Sequence, residues 1–295
     1  MRSSAGPLVS VVIPTFNHAR YLSHAIKTLL DQSYENWEAI IVDNYSTDHT
    51  EAVIASFSDP RISYKKIYNN GVIAVSRNAG IFLANGEWVA FLDSDDFWEF
   101  NKLQVCMEHV RNDVDLVYHD MSIVGDQSKI IRKSQMKSWQ VNSPIVIDLM
   151  VRGNALAASS VMVRTKILKQ INGMNESHRM VAAEDYNAWL RISQLSDGFK
   201  YIPKKLGFYR VHNTGVSSSK DMSLPMSHAI SDFVDLLSQK QRYKVDAELS
   251  YIRGRFNYLS GNYVDARKYL RGALKYSKLS IKLKAVLMLV MTVII

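Results

Sequence analysis

The sequence predicts an α/β protein, with a mostly parallel sheet flanked by helices and followed by a C-terminal α-helical segment. Three observations lead there. Short apolar runs of strand length alternate with stretches of helical periodicity over roughly the first hundred residues. The most buried-looking run, Trp88 to Leu92, stops abruptly at Asp93, Asp95 and Asp96. Past Ser218 the residues favour helices only.

The elements follow in order. Leu8 to Ile13 reads as a buried strand that Pro14 ends, and Pro14-Thr15-Phe16-Asn17 as the first strand-to-helix turn. Tyr21, Leu22, Ala25, Ile26, Leu29 and Leu30 then recur at helical spacing. Trp37 to Val42 forms a second strand ending at Asp43-Asn44, and Ser46-Thr47-Asp48 opens a helix, with Glu51 in capping-box spacing after Asp48. Ile62 to Ile67 makes a third strand. A helix after Gly71 runs through Ala74, Asn78, Ala79 and Phe82 until Gly86, and Trp88 to Leu92 follows.

Composition bounds the function. The 295 residues are 47% hydrophobic, enough for one large or two modest cores. Cys106 is the lone cysteine, which excludes an internal disulfide framework and fits a reducing compartment. Met1 to Pro7 is short and polar with no apolar segment behind it, so no secretory signal is expected and the predicted location is the cytosol. The net charge of +8 is uneven: 12 Lys and Arg stand against 3 Asp and Glu from Gln239 onward. That basic segment lies apart from the carboxylates and predicts docking to an anionic membrane rather than catalysis; no nucleic-acid partner is expected.

In an open α/β sheet ligands sit outside the carboxyl ends of the strands, so Asp93 to Asp96 are placed to meet a ligand or a metal ion. Hard divalent cations such as Mn²⁺ or Mg²⁺ prefer carboxylate oxygens and are commonly shared with substrate phosphates. An Asp-rich turn alone favours a solvated turn with an Asp helix cap.

Taken together, Val11 to Asn17, Ile41 to Asp48, Ser76-Arg77-Asn78-Ala79-Gly80, Phe91 to Asp96, Gly173-Met174-Asn175-Glu176, Ala183 to Leu190 and Tyr209-Arg210-Val211-His212 resemble the family-2 inverting glycosyltransferases, whose fold is called GT-A. The resemblance spans residues 8 to 218. It implies that Pro14, Thr15 and Phe16 line a nucleoside pocket with Asp43 and Asn44, that Arg77 faces the diphosphate, and that Asp93 contacts the nucleoside side. Asp95 would bind the metal, with His212 as a further metal or phosphate ligand, while Asp96 would support the metal through water or cap the next helix. The attacking hydroxyl needs a base. Asp185 is the candidate, following Glu184, which is grouped with the substrate-binding residues, at the start of a helix whose buried face would include Trp189 and Ile192. The other histidines receive no role.

The resemblance predicts a metal-dependent enzyme moving a sugar from a nucleotide donor, first of all a UDP-sugar, to a hydroxyl of a glycan or lipid-linked oligosaccharide in surface polysaccharide biosynthesis. Two alternatives remain at this point. A sugar-1-phosphate nucleotidyltransferase would want a Gly-rich basic loop where Pro14-Thr15-Phe16-Asn17 stands, and a non-catalytic glycan-binding or scaffold protein would not need Asp93, Asp95 and Asp185 together. Asn44-Tyr45 departs from the family's usual Asp-Gly after the second strand, which loosens the expectation of UDP.

Ile123 to Ser143 reads as a polar loop with a turn at Gly125-Asp126-Gln127-Ser128, over which Trp139 either stacks on a sugar or packs inward. The predicted domains are 1–220, the catalytic domain; 221–284, a basic helical segment with helix over Ser227 to Tyr243 and one tetratricopeptide-like hairpin; and 285–295, an apolar tail for membrane contact. As a helix this tail is about 16 Å long, too short for a bilayer core of about 30 Å.

Overall fold

The run Val9–Thr15 forms strand β1, buried along its whole length at the centre of a parallel group in a computed structural model that describes residues 6–127, 130–136, 138–212 and 220–294. β2 (Trp37–Asp43) and β4 (Trp88–Phe91) flank β1 in parallel, and β3 (Ile62–Lys66) lies parallel outside β2. Three helices make the crossovers: α1 (Ala19–Leu30), α2 (Thr50–Ala55) and α3 (Ile73–Leu83). Because successive strand residues point to opposite faces, Val9, Val11 and Ile13 pack with Leu22, Ala25, Ile26 and Leu29 of α1, while Val12 joins Ile81 of α3 on the other side. A Cβ on Gly80 would lie 2.4 Å from Val12 Cγ1, so glycine is what lets α3 settle onto β1.

The second half of the sheet is mixed. β8 (Met162–Arg164) runs antiparallel to β4, and β6 (Leu116–Val124) runs antiparallel to β8. β9 (Phe199–Arg210) then pairs in parallel with β6, and the short β5 (Phe97–Trp98) antiparallel with β9. β7 (Ile130–Met136) adds to β6 as an antiparallel hairpin. The span read as a polar loop therefore contains strands; its hairpin needs no crossover helix and leaves no helical period to read. Trp139 packs partly buried against the main core, with the Arg152 guanidinium 5.0 Å from its ring centre.

Helices α4 (Lys102–Glu108), α5 (Ile145–Arg152), α6 (Thr165–Gln170) and α7 (Glu184–Ile192) complete the body. Two sequence expectations change locally. α2 starts at Thr50 without a side-chain cap: Asp48 accepts instead from Thr50 N and from Ala19 N, both at 3.0 Å, and Glu51 pairs with Lys66 at 2.6 Å, so no capping box forms. The helix expected over Ser227 to Tyr243 is broken into α8 (Ser223–Ile230), a 3-10 turn, and α9 (Gln239–Leu259). Phe233 and Leu237 turn into the core there, and Ser238 restarts the helix in a capping box with Gln241.

α9 forms a hairpin with α10 (Tyr263–Ala273), held close at Gly254, where a Cβ would stand 2.8 Å from Leu270 Cγ. α11 (Leu279–Ile294) packs on the pair through Ala285, Met288 and Leu289 and runs unbroken across Lys284 and Ala285. Val245 of α9 belongs to the main core, which anchors the hairpin to the sheet-bearing body. Among the described residues, no helix is long and apolar enough to cross a membrane. Met1 to Ala5, Ser128, Asn213 to Ser217 and Ile295, to which parts of the sequence reading applied, lie outside the described residues.

Candidate active site

The chemistry-bearing side chains gather at one rim. β1, β2 and β4 deliver their carboxyl ends side by side, with Thr15 opposite Asp43 and Val12 opposite Phe91. α7 and the end of β9 approach this rim from the C-terminal half.

At one end of the rim, Arg77 of α3 bridges two carboxylates. Its guanidinium donates to Asp93 Oδ1 at 2.6 Å and to Glu184 Oε1, and only 4% of its side chain is exposed. Burial alone would lower the arginine pKa, but Asp93, Glu184 and Asp185 hold it above the ordinary value. Glu184 Oε2 accepts from Ala182 N at 2.7 Å, so both of its oxygens are engaged by the protein. Ala182 has a φ of +76°, a left-handed conformation that a non-glycine residue adopts only where its surroundings impose it, two residues before the buried Glu184. Asp185 accepts from Tyr186 N at 2.6 Å. Burial, and then the Glu184 charge, push its carboxyl up to about 7, while Arg77 pulls the other way. A carboxylate with a pKa near 7 is matched to proton abstraction at neutral pH.

At the other end, Asp95 Oδ2 lies 2.8 Å from His212 Nε2. His18, given no role from the sequence, joins them: ligand atoms of His18, Asp95 and His212 all fall within 4.8 Å of one another. His18 Nδ1 lies 2.8 Å from Ser94 Oγ, and its ring meets that of His212 edge-on at 5.8 Å. Burial lowers the His18 pKa and favours the neutral imidazole that a metal requires. Burial would raise the Asp95 pKa, but His212 and His18 hold it below the usual carboxylate range. His18 follows directly on the Pro14 to Asn17 turn, and that adjacency is the signal the sequence offered.

Asp96 does not cap the next helix, since Asn101 precedes α4. Asp96 Oδ1 accepts from Arg210 N at 2.9 Å, and Arg210 Nε donates to the Asp95 carbonyl at 2.8 Å. These bonds staple the end of β9 to the acidic turn and bring His212 to Asp95. Burial, with Asp95 and Asp93 nearby, raises the Asp96 pKa well above the ordinary value. Ser159 also enters unannounced, accepting from Asp93 N at 3.0 Å.

Along the β1–β2 edge, Pro14 and Thr15 are buried and Phe16 is 49% exposed. Asp43 Oδ1 accepts from Ser46 N and Oγ at 3.0 and 2.6 Å, and Oδ2 from the Tyr64 hydroxyl at 2.7 Å. Asn44 Oδ1 accepts from Asn69 N at 2.8 Å. Asp43 and Asn44 thus shape the turn, while Phe16 stands half exposed beside it.

The glycosyl transferase family 2 model matches residues 10–171, which is more than half of the chain and covers β1 through the acidic turn. The chain belongs to glycosyl transferase family 2. It is accordingly an enzyme, a glycosyltransferase, and the nucleotidyltransferase and non-catalytic readings are set aside. It is 30% identical over 237 residues to the Escherichia coli UDP-Glc:α-D-GlcNAc-diphosphoundecaprenol β-1,3-glucosyltransferase WfgD, covering 77% of this chain and 87% of that protein. To the putative teichuronic acid biosynthesis glycosyltransferase TuaG of Bacillus subtilis it is 31% identical, covering 72% and 83%. The crystal structure of S. aureus TarS 1–349 in complex with UDP-GlcNAc superposes with a TM-score of 0.65 at 18% identity, covering 96% of this chain and 88% of that one, and shares the GT-A fold. Glu184, Asp185 and His212 lie beyond the matched family-2 region, so their placement rests on the geometry described above.

The set of two imidazoles and one carboxylate suits a divalent ion such as Mn²⁺ with coordination positions left for phosphate oxygens. Among the described residues, His18, Asp95 and His212 form a group that could hold it.

Proposed function

We propose that the protein transfers a sugar, with inversion, from a UDP-sugar to a hydroxyl of a lipid-linked glycan in surface polysaccharide biosynthesis, with Mn²⁺ or Mg²⁺ at His18, Asp95 and His212. The observation that carries this reading is the pairing, on one rim, of a two-imidazole, one-carboxylate set with a half-buried carboxyl whose pKa lies near 7. The names of WfgD and TuaG support the acceptor class.

The residues divide the work. Phe16 and the Asp43–Asn44 turn receive the nucleoside, and Asp93, fixed by Arg77, faces its ribose side. Asp185 takes the proton from the acceptor hydroxyl as that oxygen attacks the anomeric carbon, and Glu184, held by Arg77 and Ala182 N, keeps Asp185 basic and in place. A bound divalent ion supplies positive charge for the departing diphosphate. Residues 1–220 serve as the catalytic domain and 221–284 as a helical cap. Leu279, Leu283, Val286, Leu287 and Val290 form an exposed apolar stripe on α11. With Lys278, Lys282 and Lys284 beside it, this stripe supports peripheral contact with an anionic cytoplasmic membrane face through 285–295.

Calorimetric titration of UDP with and without Mn²⁺ tests the donor site. The expected result is metal-dependent binding that Asp95→Asn loses; UDP binding that is indifferent to metal and to that substitution would overturn it. For the membrane contact, a Leu283→Asp/Leu287→Asp variant should fail to co-sediment with anionic vesicles that retain the wild type. Equal sedimentation of the two would refute the contact.

A further inference from the structure

Tyr45 and Tyr68 stand just past the carboxyl ends of β2 and β3 with their rings stacked, centroids 3.9 Å apart and planes 12° from parallel. They are 41% and 72% exposed, so the pair is not a core contact. Tyr45 also has a φ of +54°, the left-handed conformation that a bulky side chain resists and glycine adopts freely. An exposed aromatic in a strained conformation, propped by a still more exposed one, is a costly arrangement that packing does not require, and such outliers concentrate at ligand sites.

Both neighbours of Tyr45 are fixed. On one side, Asn44 Oδ1 accepts from Asn69 N at 2.8 Å, and Asp43 O accepts from Ile67 N at 2.9 Å, which ties the turn to the Tyr68 segment. On the other, Ser46 Oγ accepts from Asn17 N at 2.8 Å, and Asn17 Oδ1 from Thr47 N at 2.7 Å, which ties the turn to the Phe16 segment. Phe16, Tyr45 and Tyr68 therefore follow one another along the rim over three adjacent parallel strands.

We infer that Tyr45, supported by Tyr68, is the outer wall of the donor's base subsite and restricts it to a pyrimidine. The inference rests on the nucleotide-donor reading above and adds the residue that sets base size. A base laid against the half-exposed Phe16 and extending along the rim next meets Tyr45. The second ring of a purine, which a pyrimidine lacks, is the part that would compete with the Tyr45 side chain for space. Asp43 Oδ1 already accepts two hydrogen bonds within the turn, and Asp43 Oδ2 and Asn44 Oδ1 one each, so size at Tyr45 adds to whatever edge readout these groups retain. Tyr68 contributes by holding the Tyr45 ring upright through stacking.

The test is calorimetric titration of UDP and of GDP, each with Mn²⁺, into the full chain and its Tyr45→Gly, Tyr45→Phe and Tyr68→Ala variants. Glycine suits the left-handed backbone, so Tyr45→Gly leaves the fold intact, and thermal melting checks this. The wild type should bind UDP at least tenfold tighter than GDP. That ratio should fall at least fivefold in Tyr45→Gly, mainly through tighter GDP binding, fall less in Tyr68→Ala, and persist in Tyr45→Phe. An unchanged ratio in Tyr45→Gly, or a wild type that prefers GDP, overturns the inference while leaving the nucleotide-donor reading standing. A wild type that binds neither nucleotide overturns both.

Discussion

The two ends of the active-site rim are built from similar acids yet treat charge in opposite ways. At the Arg77 end, Asp93 and Glu184 find their counter-charge inside the fold, in a guanidinium only 4% exposed. At the Asp95 end the partners are imidazoles, one of them, His18, held toward its neutral form by burial. The first half has its counter-charge within the fold; the second gathers two imidazoles and a carboxylate that could hold a divalent cation. The contrast teaches that a fold can build permanent electrostatics where a base must be held in place, and leave charge to be supplied where the substrate itself brings phosphate.

The comparison can be broken most directly at Asp185. Asp185→Asn should lower kcat by about 10²- to 10⁴-fold while UDP affinity, measured by titration, stays within twofold. Comparable losses in both would mean that Asp185 serves binding. Next in size, Arg77→Met leaves Asp93 and Glu184 without their partner; removing one member of a buried ion pair costs about 3–5 kcal/mol, which denaturant unfolding would register. A loss under about 1 kcal/mol, the range of a solvent-exposed pair, would show that the arginine is dispensable to the fold.

The imidazole end should respond differently. His18→Ala should weaken Mn²⁺ binding, measured by titration in the presence of UDP, by at least tenfold with little change in melting temperature. An unaltered Mn²⁺ affinity would remove His18 from the site. The acid limb of the rate profile follows from the Asp185 carboxyl near 7. The base works only when deprotonated, so kcat should fall as pH drops through 7, by about tenfold per unit well below it. Glu184→Gln sharpens this point with the smallest effect. Removing the neighbouring negative charge lowers the Asp185 pKa, so the limb should move to lower pH; a shift to higher pH would contradict the assignment of Glu184 as the charge that keeps Asp185 basic.

Much of this was legible in the sequence because the parallel half of the sheet writes itself locally. Val9 to Ile13, Trp37 to Val42 and Trp88 to Leu92 are continuous apolar runs, as strands buried on both faces must be. The β6–β7 hairpin was not legible, since Ile123 to Ser143 carries neither a helical nor a clear two-residue period. In the site, the Asp93 to Asp96 turn announced itself as three acids packed into four positions. Pairing across long separations was not legible: Arg77 holds Glu184, 107 positions away, and no local pattern joins the two. His18 was passed over because one histidine beside a turn carries no pattern until Asp95 and His212 converge on it.

The staple between the end of β9 and the acidic turn has a consequence for how the enzyme comes into being. Asp96 meets Arg210 across 114 residues, and Asp95 meets His212 across 117. A chain emerging from the ribosome can lay down β1 through β4 and their helices as soon as those residues are free, but its acidic turn stays without its last ligand until the strand that carries Arg210 has also emerged and docked. On the proposed assignment the edge read as the nucleoside site forms early, and a chain stopped before the end of β9 would lack the His212 partner of Asp95.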